Sequence, residues 1–375
     1  MNLPKLMDLE VGGKRVMVRA DLDVPITKIR GEEDKSEESG GEYKVEDDNR
    51  LRLILPTIKW LLESGAMVVL CGHLGRPGRM ENGSWKLGGE EREKFSLFPV
   101  GQQLLGLLGE VASYKFSGDF GDPALSGLVP GGMVLLENLR FDPGESIEAT
   151  LQDKERLADK LIRLAEVYVN ESFAESHRGT ASIVGVPGKM KTKNCRAAGM
   201  RLAEEVEVLS GVLEKPVRPL VVVVGGAKLE SKLPVISKME ILADRVLVGG
   251  KLPAEIAAKN LKFSEKVLVA SLAEGGKDID QETIETFRSA IEKAGTVVWS
   301  GPMGMFEVEG SDRGTAAVAE AIAKSEAMKI AGGGDTEAAI KKSGLSEKFD
   351  WISVGGGAML QFLAEGTLPG IEALK

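Results

Sequence analysis

Five times after residue 215 an apolar, β-branched run stops on glycine, at 220–226, 246–250, 297–301, 329–335 and 352–357. Short apolar runs bounded by glycine read as buried parallel strands. In an open α/β sheet, ligands sit outside the carboxyl ends of such strands. Glycine there lets main-chain N–H groups come close to a ligand, and helices that start just beyond favour phosphate at their N-termini. A single glycine-ended strand means little, because turn geometry alone puts glycine after many strands. Five in one half of a chain point to a polyphosphate-binding edge.

A chain of 375 residues has room for two to three domains and for sizeable cores. Its 57 acidic against 48 basic residues argue against a general nucleic-acid or membrane-surface role. A chain so acidic must gather its cations locally to bind phosphate. Cys71 and Cys195 lie far apart and form no CxxC, so neither a zinc site nor a disulfide framework is indicated. The first ten residues lack the apolar core of a signal peptide, and no run approaches the length of a membrane span. A cytoplasmic location is the expectation.

The first half also carries strand-like runs, at 15–20, 66–70, 132–136 and 167–169. Between the runs lie helix-period segments. Leu51, Ile54, Leu55, Ile58, Leu61 and Leu62 share one face, with Gly65 as a stop and Pro56 predicting a kink or a late start. This alternation predicts an α/β chain of two Rossmann-like domains, each a parallel sheet flanked by helices, joined by a hinge helix over 195–213. Residues 28–49 are polar and acidic, and a mobile surface loop is expected there.

The two halves end their strands differently. Second-half strands end in glycine and offer backbone. First-half strands end in ionisable side chains: Asp21 and Asp23, then His73 and Arg76, then Glu137, Asn138 and Arg140, then 170–178 with His177 and Arg178. Arg50 opens the first long helix. A lone His or Arg is usually structural or solvated, but guanidinium groups recurring at successive strand ends suit a small, multiply charged carboxylate or phosphate.

The P-loop pattern, the G-x-G-x-x-G dinucleotide fingerprint and the G-x-S-x-G nucleophile context are all absent. Lys228 and Lys232 stand four apart just past a buried run, where a helix start would bring both onto one face. Two solvated lysines there would sit at the unfavourable end of the helix dipole, which hints at an anion between them. The stretch from Gly332 to Thr336 supplies amides and one carboxylate, Asp335. That carboxylate suits Mg²⁺ beside a polyphosphate, or equally a helix N-cap.

Eight segments then run in order across nearly the whole chain. They are RADLDVP (19–25), HLGRP (73–77), LENLRF (136–141), His177-Arg178, GGAK (225–228), VWSGPMGMFE (298–307), GGGDT (332–336) and SVGGG (353–357). Together they resemble phosphoglycerate kinase. The resemblance implies a bilobed, hinged, monomeric enzyme that transfers the γ-phosphoryl of ATP reversibly to the carboxylate of 3-phosphoglycerate. It implies an N-terminal acid-binding domain at 1–186 with the tail 363–375 returning to it, an interdomain segment at 187–213 and a nucleotide-binding domain at 214–362. Substrate would be held by Asp21, Leu22, Asp23, Arg50, His73, Leu74, Gly75, Arg76, Arg140 and Arg178. Nucleotide would be held by Gly226, Ala227, Lys228, Lys232, Gly249, Gly250, Pro302, Glu307, Gly333, Gly334, Asp335 and Thr336, with Mg²⁺ at Asp335. Arg50, Lys228, Lys232 and Gly334 would act on the transferring group.

This chemistry fits the absence of a general base, because a carboxylate acceptor is already ionised at neutral pH. Asp23, Ser231, Lys251, Ser300 and Val354 depart from the family pattern. A carboxylate at position 23 needs a neutralising partner beside an anionic ligand, and Arg19, Arg50 and Arg178 are the candidates. The rival reading is a non-catalytic sensor of nucleotide or phosphoglycerate on the same fold. A nicotinamide dehydrogenase is disfavoured by the missing fingerprint.

Overall fold

The computed structural model describes residues 3–29, 43–82 and 84–375. It falls into two compact units, Met1–Glu204 with Pro369–Lys375, and Glu205–Leu368. The first unit contains β1 (Arg15–Ala20), β2 (Ile26–Lys28), β3 (Tyr43–Val45), β4 (Met67–Cys71), β5 (Arg79–Glu81), β6 (Ser84–Lys86), β7 (Tyr114–Ser117), β8 (Met133–Leu136), β9 (Val167–Glu171) and β10 (Arg196–Ala198). Six of these form one sheet in the order β10-β9-β1-β4-β8-β7. Every pairing in it is parallel. The strands β2–β3 and β5–β6 form two separate antiparallel pairs.

Strands buried on both faces need continuous apolar runs, which the central ones have. One face packs on the helix Asn49–Glu63, whose Leu51, Ile54, Ile58 and Leu61 are buried against Val16, Val18, Val68 and Leu70. Burying each such side chain stabilises the unit by about 1.5–3 kcal/mol. The helix runs from Asn49 through Pro56 as one element, so the late start does not occur. Gly65 ends it at φ 73°, letting the amides of Gly65 and Ala66 turn back to the carbonyls of Leu62 and Leu61.

The expected helix over 195–213 is shorter. Residues 196–198 pair with β9 as β10, and the helix is Met200–Glu214. Gly199 separates them, donating its N–H to the Asn170 carbonyl and lying so close on the Glu171 carboxylate that no Cβ fits. The division between the units falls within this helix. Residues 30–42, most of the expected acidic surface loop, lie outside the described residues, and the flanks of that stretch pair as β2 and β3.

The second unit holds β11 (Leu220–Val224), β12 (Arg245–Val248), β13 (Val267–Val269), β14 (Thr296–Ser300), β15 (Met328–Gly332) and β16 (Trp351–Ser353). Their order is β13-β12-β11-β14-β15-β16, again with every pairing parallel. Helices connect the strands, and the core on one face gathers Val221, Val223, Trp299, Phe287 and Ile322. Among the described residues, no helix is long and apolar enough to cross a membrane.

Candidate functional site

In the first unit, β9, β1, β4 and β8 are adjacent and parallel, so their carboxyl ends share one edge. That edge carries Asp21, Asp23, His73, Arg76, Arg140 and Arg178, and Arg50 joins it from the start of its helix. Arg50 Nη1 donates to both carboxylate oxygens of Asp21 at 3.3 Å. Arg140 bridges two loops, donating through Nη1 to the Gly75 carbonyl at 2.5 Å and through Nη2 to Glu175 at 2.9 Å. Arg76 is exposed and makes no hydrogen bond or ion pair among the described residues, a cation left for a ligand. Leu22 and Leu74 are buried with the core, so only their main chain faces the edge chemistry.

Besides the field of Arg50, one of the three candidate arginines, Asp23 finds two further partners. Its Oδ1 accepts the Gly75 N–H at 2.8 Å, and Oδ2 lies 3.7 Å from His73 Nε2. Burial alone would raise its pKa, but His73, the Gly75 amide and the field of Arg50 hold the carboxyl well below the usual range. His73 is fixed from beneath: Arg19 Nη2 lies 3.1 Å from Nδ1. A guanidinium can only donate, so Nδ1 accepts and the ring N–H at Nε2 faces Asp23 and Glu175.

Sequence reasoning missed this supporting layer. Arg19 is fully buried on β1, donating to Ser182 Oγ at 2.8 Å and standing 3.6 Å from the equally buried Glu145. Glu145 in turn accepts from the hydroxyls of Ser182 and Thr180 and from the Ser182 amide. The signal was Arg19 between Val18 and Ala20, inside a strand whose only other charge is the opening Arg15. Glu137, Asn138 and Asn170, noted at strand ends, are organisers of loops. Glu137 accepts the amides of Leu97 and Asn138, Asn138 donates to the carbonyls of Leu74 and Phe95, and Asn170 donates to Ser176.

In the second unit the glycine loops nest on one another. A methyl at Gly225 would strike the Pro302 carbonyl, and one at Gly356 would strike Gly333. The Gly226, Gly249 and Gly250 amides are already donated, to the carbonyls of Pro302, Val224 and Met303. These three amides are therefore not free for a ligand, which corrects the expectation that every glycine-ended strand offers backbone N–H groups. The amides that open a helix are different. Gly333, at φ 110°, leads into the helix Gly334–Lys342, whose first N–H groups have no partner within the helix. Thr336 is buried, its Oγ1 accepting the Gly301 amide at 2.7 Å and tying that turn to β14.

Lys228 is the N-cap of the helix Leu229–Leu242 and is exposed, while Lys232 lies in the first turn. Lys232 Nζ donates to Ser300 Oγ at 3.3 Å. Burial lowers its pKa, and the charge of Asp335 opposes that shift, so the two groups face each other. Asp335 is the second residue of its helix and exposed; Gly333 occupies the N-cap. Glu307 is exposed beyond β14, and Pro302 is buried in the loop before it. Ser231 Oγ donates to the Lys228 carbonyl, and Val354 N donates to Glu205.

Comparisons with known proteins bear on the family and the fold. The sequence pattern of the phosphoglycerate kinase family matches residues 6–270 and 252–366. The chain is 37% identical to the phosphoglycerate kinase of Salinispora arenicola, covering 100% of both chains. It is 36% identical to that of Rubrobacter xylanophilus, covering 100% of this chain and 98% of the relative. Among solved structures it is similar to phosphoglycerate kinase from Coxiella burnetii, with a TM-score of 0.76 at 31% identity over 100% of this chain and 99% of the other. The enzyme from Pyrococcus horikoshii gives a TM-score of 0.77 at 28% identity over 99% and 98%. Identity of this level over full length, on two parallel six-stranded sheets, makes this chain a member of the phosphoglycerate kinase family, phosphotransferases that use a carboxyl group as acceptor.

Proposed function

We propose that the first unit's edge binds 3-phosphoglycerate, through Asp21, Asp23, Arg50, His73, Arg76, Arg140 and Arg178 with the main chain of Leu22, Leu74 and Gly75. The second unit's edge binds ATP or ADP. There Gly226, Ala227, Gly249, Gly250 and Pro302 give the base a surface, Glu307 takes the ribose, and Lys228, Lys232 and residues 333–336 take the phosphates. The observation that carries this reading is the contrast between the edges. Side-chain cations crowd four adjacent strand ends in one unit, while in the other Lys232 faces Asp335 at the start of a helix whose first N–H groups have no partner within it, and the exposed Lys228 opens the helix that carries Lys232.

Among the described residues, no group of three His, Cys, Asp or Glu side chains could hold a metal unaided. One exposed carboxylate at a phosphate-binding turn is the donor set that suits Mg²⁺, which takes few protein ligands and several phosphate oxygens. Asp335 is that carboxylate, and bound Mg²⁺ would neutralise charge on the phosphates. Catalysis otherwise consists of positioning and charge neutralisation by Arg50, Lys228, Lys232 and the Gly334 amide. The acceptor carboxylate needs no base. The division of labour expected from the sequence sets domains 1–186, with its tail 363–375, and 214–362, linked through 187–213, whereas the compact units divide after Glu204 and the returning tail begins at Pro369. The same reading gives a monomeric, cytoplasmic enzyme of glycolysis.

Arg178→Ala separates the two edges. It should weaken 3-phosphoglycerate binding by about 2 kcal/mol, roughly thirtyfold, on the scale of a lost charge-assisted contact. ATP affinity should be nearly unchanged. Glu307→Ala should do the reverse. Calorimetric titration of each variant with each ligand checks both, and equal losses for both ligands would mean that the sites are misassigned.

A further inference from the structure

The acid edge contains a carboxylate that its proposed task does not call for. Glu175 closes the short turn Phe173–Glu175 directly after β9 and is 6% exposed. Its Oε2 accepts from Arg140 Nη2 at 2.9 Å, and its Oε1 lies 3.5 Å from Arg178 Nε and 3.8 Å from His73 Nε2. Burial would raise its pKa, but the surrounding charges, those of Arg140, Arg19 and Arg178 among them, outweigh that and keep the group ionised. A negative charge thus sits inside the cluster that would receive a negatively charged ligand.

Each of its neighbours has a second anchor besides Glu175. Arg140 is held by the Gly75 carbonyl through Nη1, and its own amide is held by Asn138 Oδ1. Arg178 Nε donates to His177 Nε2 at 3.3 Å, and its main-chain N–H donates to the carbonyl of Glu175, not the carboxylate. His73 is fixed by Arg19. What the Glu175 side chain adds to these anchors is one hydrogen bond to Arg140 and, above all, charge. In a partly buried cluster, repulsion from a fixed anion grows with every charge the ligand brings.

Resting on the assignment of this edge to 3-phosphoglycerate, we propose that Glu175 is a specificity-determining residue, a resident counter-anion that sets how strongly the cluster favours ligands of higher negative charge. With it, the guanidinium groups are partly neutralised and discriminate weakly between a phosphate monoester and the same ester carrying a carboxylate. Without it, the more highly charged ligand gains most.

The test is Glu175→Gln, which keeps the shape and one acceptor. The affinity for 3-phosphoglycerate should rise at least about fivefold at low ionic strength, with a steeper salt dependence than in the unaltered protein. Glycerol 3-phosphate, which lacks the carboxylate, should gain less, so the ratio of the two dissociation constants widens. In turnover, KM for 3-phosphoglycerate should fall while kcat changes little. Glu175→Asp, which keeps the charge on a shorter stem, should lie between the two proteins and guards against a folding defect in the amide variant. A raised KM with a lower kcat would show that the carboxylate orients the arginines, and would overturn the proposal. Equal gains for both ligands, or none, would overturn it too. Arg178→Ala tests the underlying assignment separately: if that variant retains full affinity for 3-phosphoglycerate, the edge is misassigned and the Glu175 proposal falls with it.

Discussion

Arg19→Met is expected to lower the stability of the first unit by about 3–5 kcal/mol, the range for breaking a buried ion pair by removing one partner. Arg19 is 0% exposed on β1, a strand in the middle of its sheet. Its guanidinium donates to Ser182 Oγ and to the Ala20 carbonyl, approaches His73 Nδ1 and faces Glu145 at 3.6 Å. Methionine would fill the volume but leave the Glu145 carboxylate buried with hydroxyl and amide donors only. Charge without compensation in such a place is the main source of the loss. The double variant Arg19→Met/Glu145→Met should therefore recover most of it, because the buried charge leaves with its partner. Urea denaturation of the three proteins measures both effects. A single-variant loss below about 1 kcal/mol, the scale of an exposed pair, would mean that Arg19 and Glu145 are not coupled as their geometry indicates.

Lys228→Ala should have the opposite signature: a large loss of activity with no loss of stability. The turnover rate is expected to fall by about 10²–10³, as when one preorganised donor to a transition state is removed. Lys228 is exposed, its side chain makes no hydrogen bond or ion pair among the described residues, and it sits at the N-cap of the helix Leu229–Leu242. A cation there opposes the helix dipole by roughly 0.3–1 kcal/mol, so alanine should leave the melting temperature unchanged or slightly raised. Steady-state kinetics and thermal melting of one preparation give both numbers. Unchanged turnover would remove Lys228 from the chemistry.

Much of this fold was legible in the sequence, and what was hidden shares a physical cause. Every strand read from its apolar run exists, and those with continuous runs, such as 220–224 and 297–300, lie inside the sheets. The three strands of the two main sheets that went unread are β7, β10 and β13, and all three are edge strands. An edge strand is covered on one side only, so its sequence can be short and mixed, like Tyr114–Ser117 or Arg196–Ala198. The fourth edge, β16, was found only because three glycines follow it.

At the site, residues that end strands could be read because their type and place together carry meaning. Asp23 was correctly marked as needing neutralisation, and Arg50 among its candidates contributes, yet a ring N–H and a main-chain amide stand beside it too. A loop amide has no signature in a sequence. The glycine loops misled in part: several of these glycines let loops nest, and their amides are donated to neighbouring carbonyls. Glu145 and Glu175 were invisible because a carboxylate in an exposed loop and one buried beside guanidinium groups look the same in one dimension.

The proposed function is that one edge holds the acid and the other the nucleotide, with phosphoryl transferred reversibly from ATP to the acid. Its most direct measurement is ADP formation by the purified full chain with ATP, Mg²⁺ and varied 3-phosphoglycerate, together with ATP formation from 1,3-bisphosphoglycerate and ADP. Saturable turnover in both directions is expected, dependent on Mg²⁺ and on the acid. A folded protein that binds ATP and 3-phosphoglycerate yet turns over in neither direction would contradict it and leave a sensor on a kinase fold.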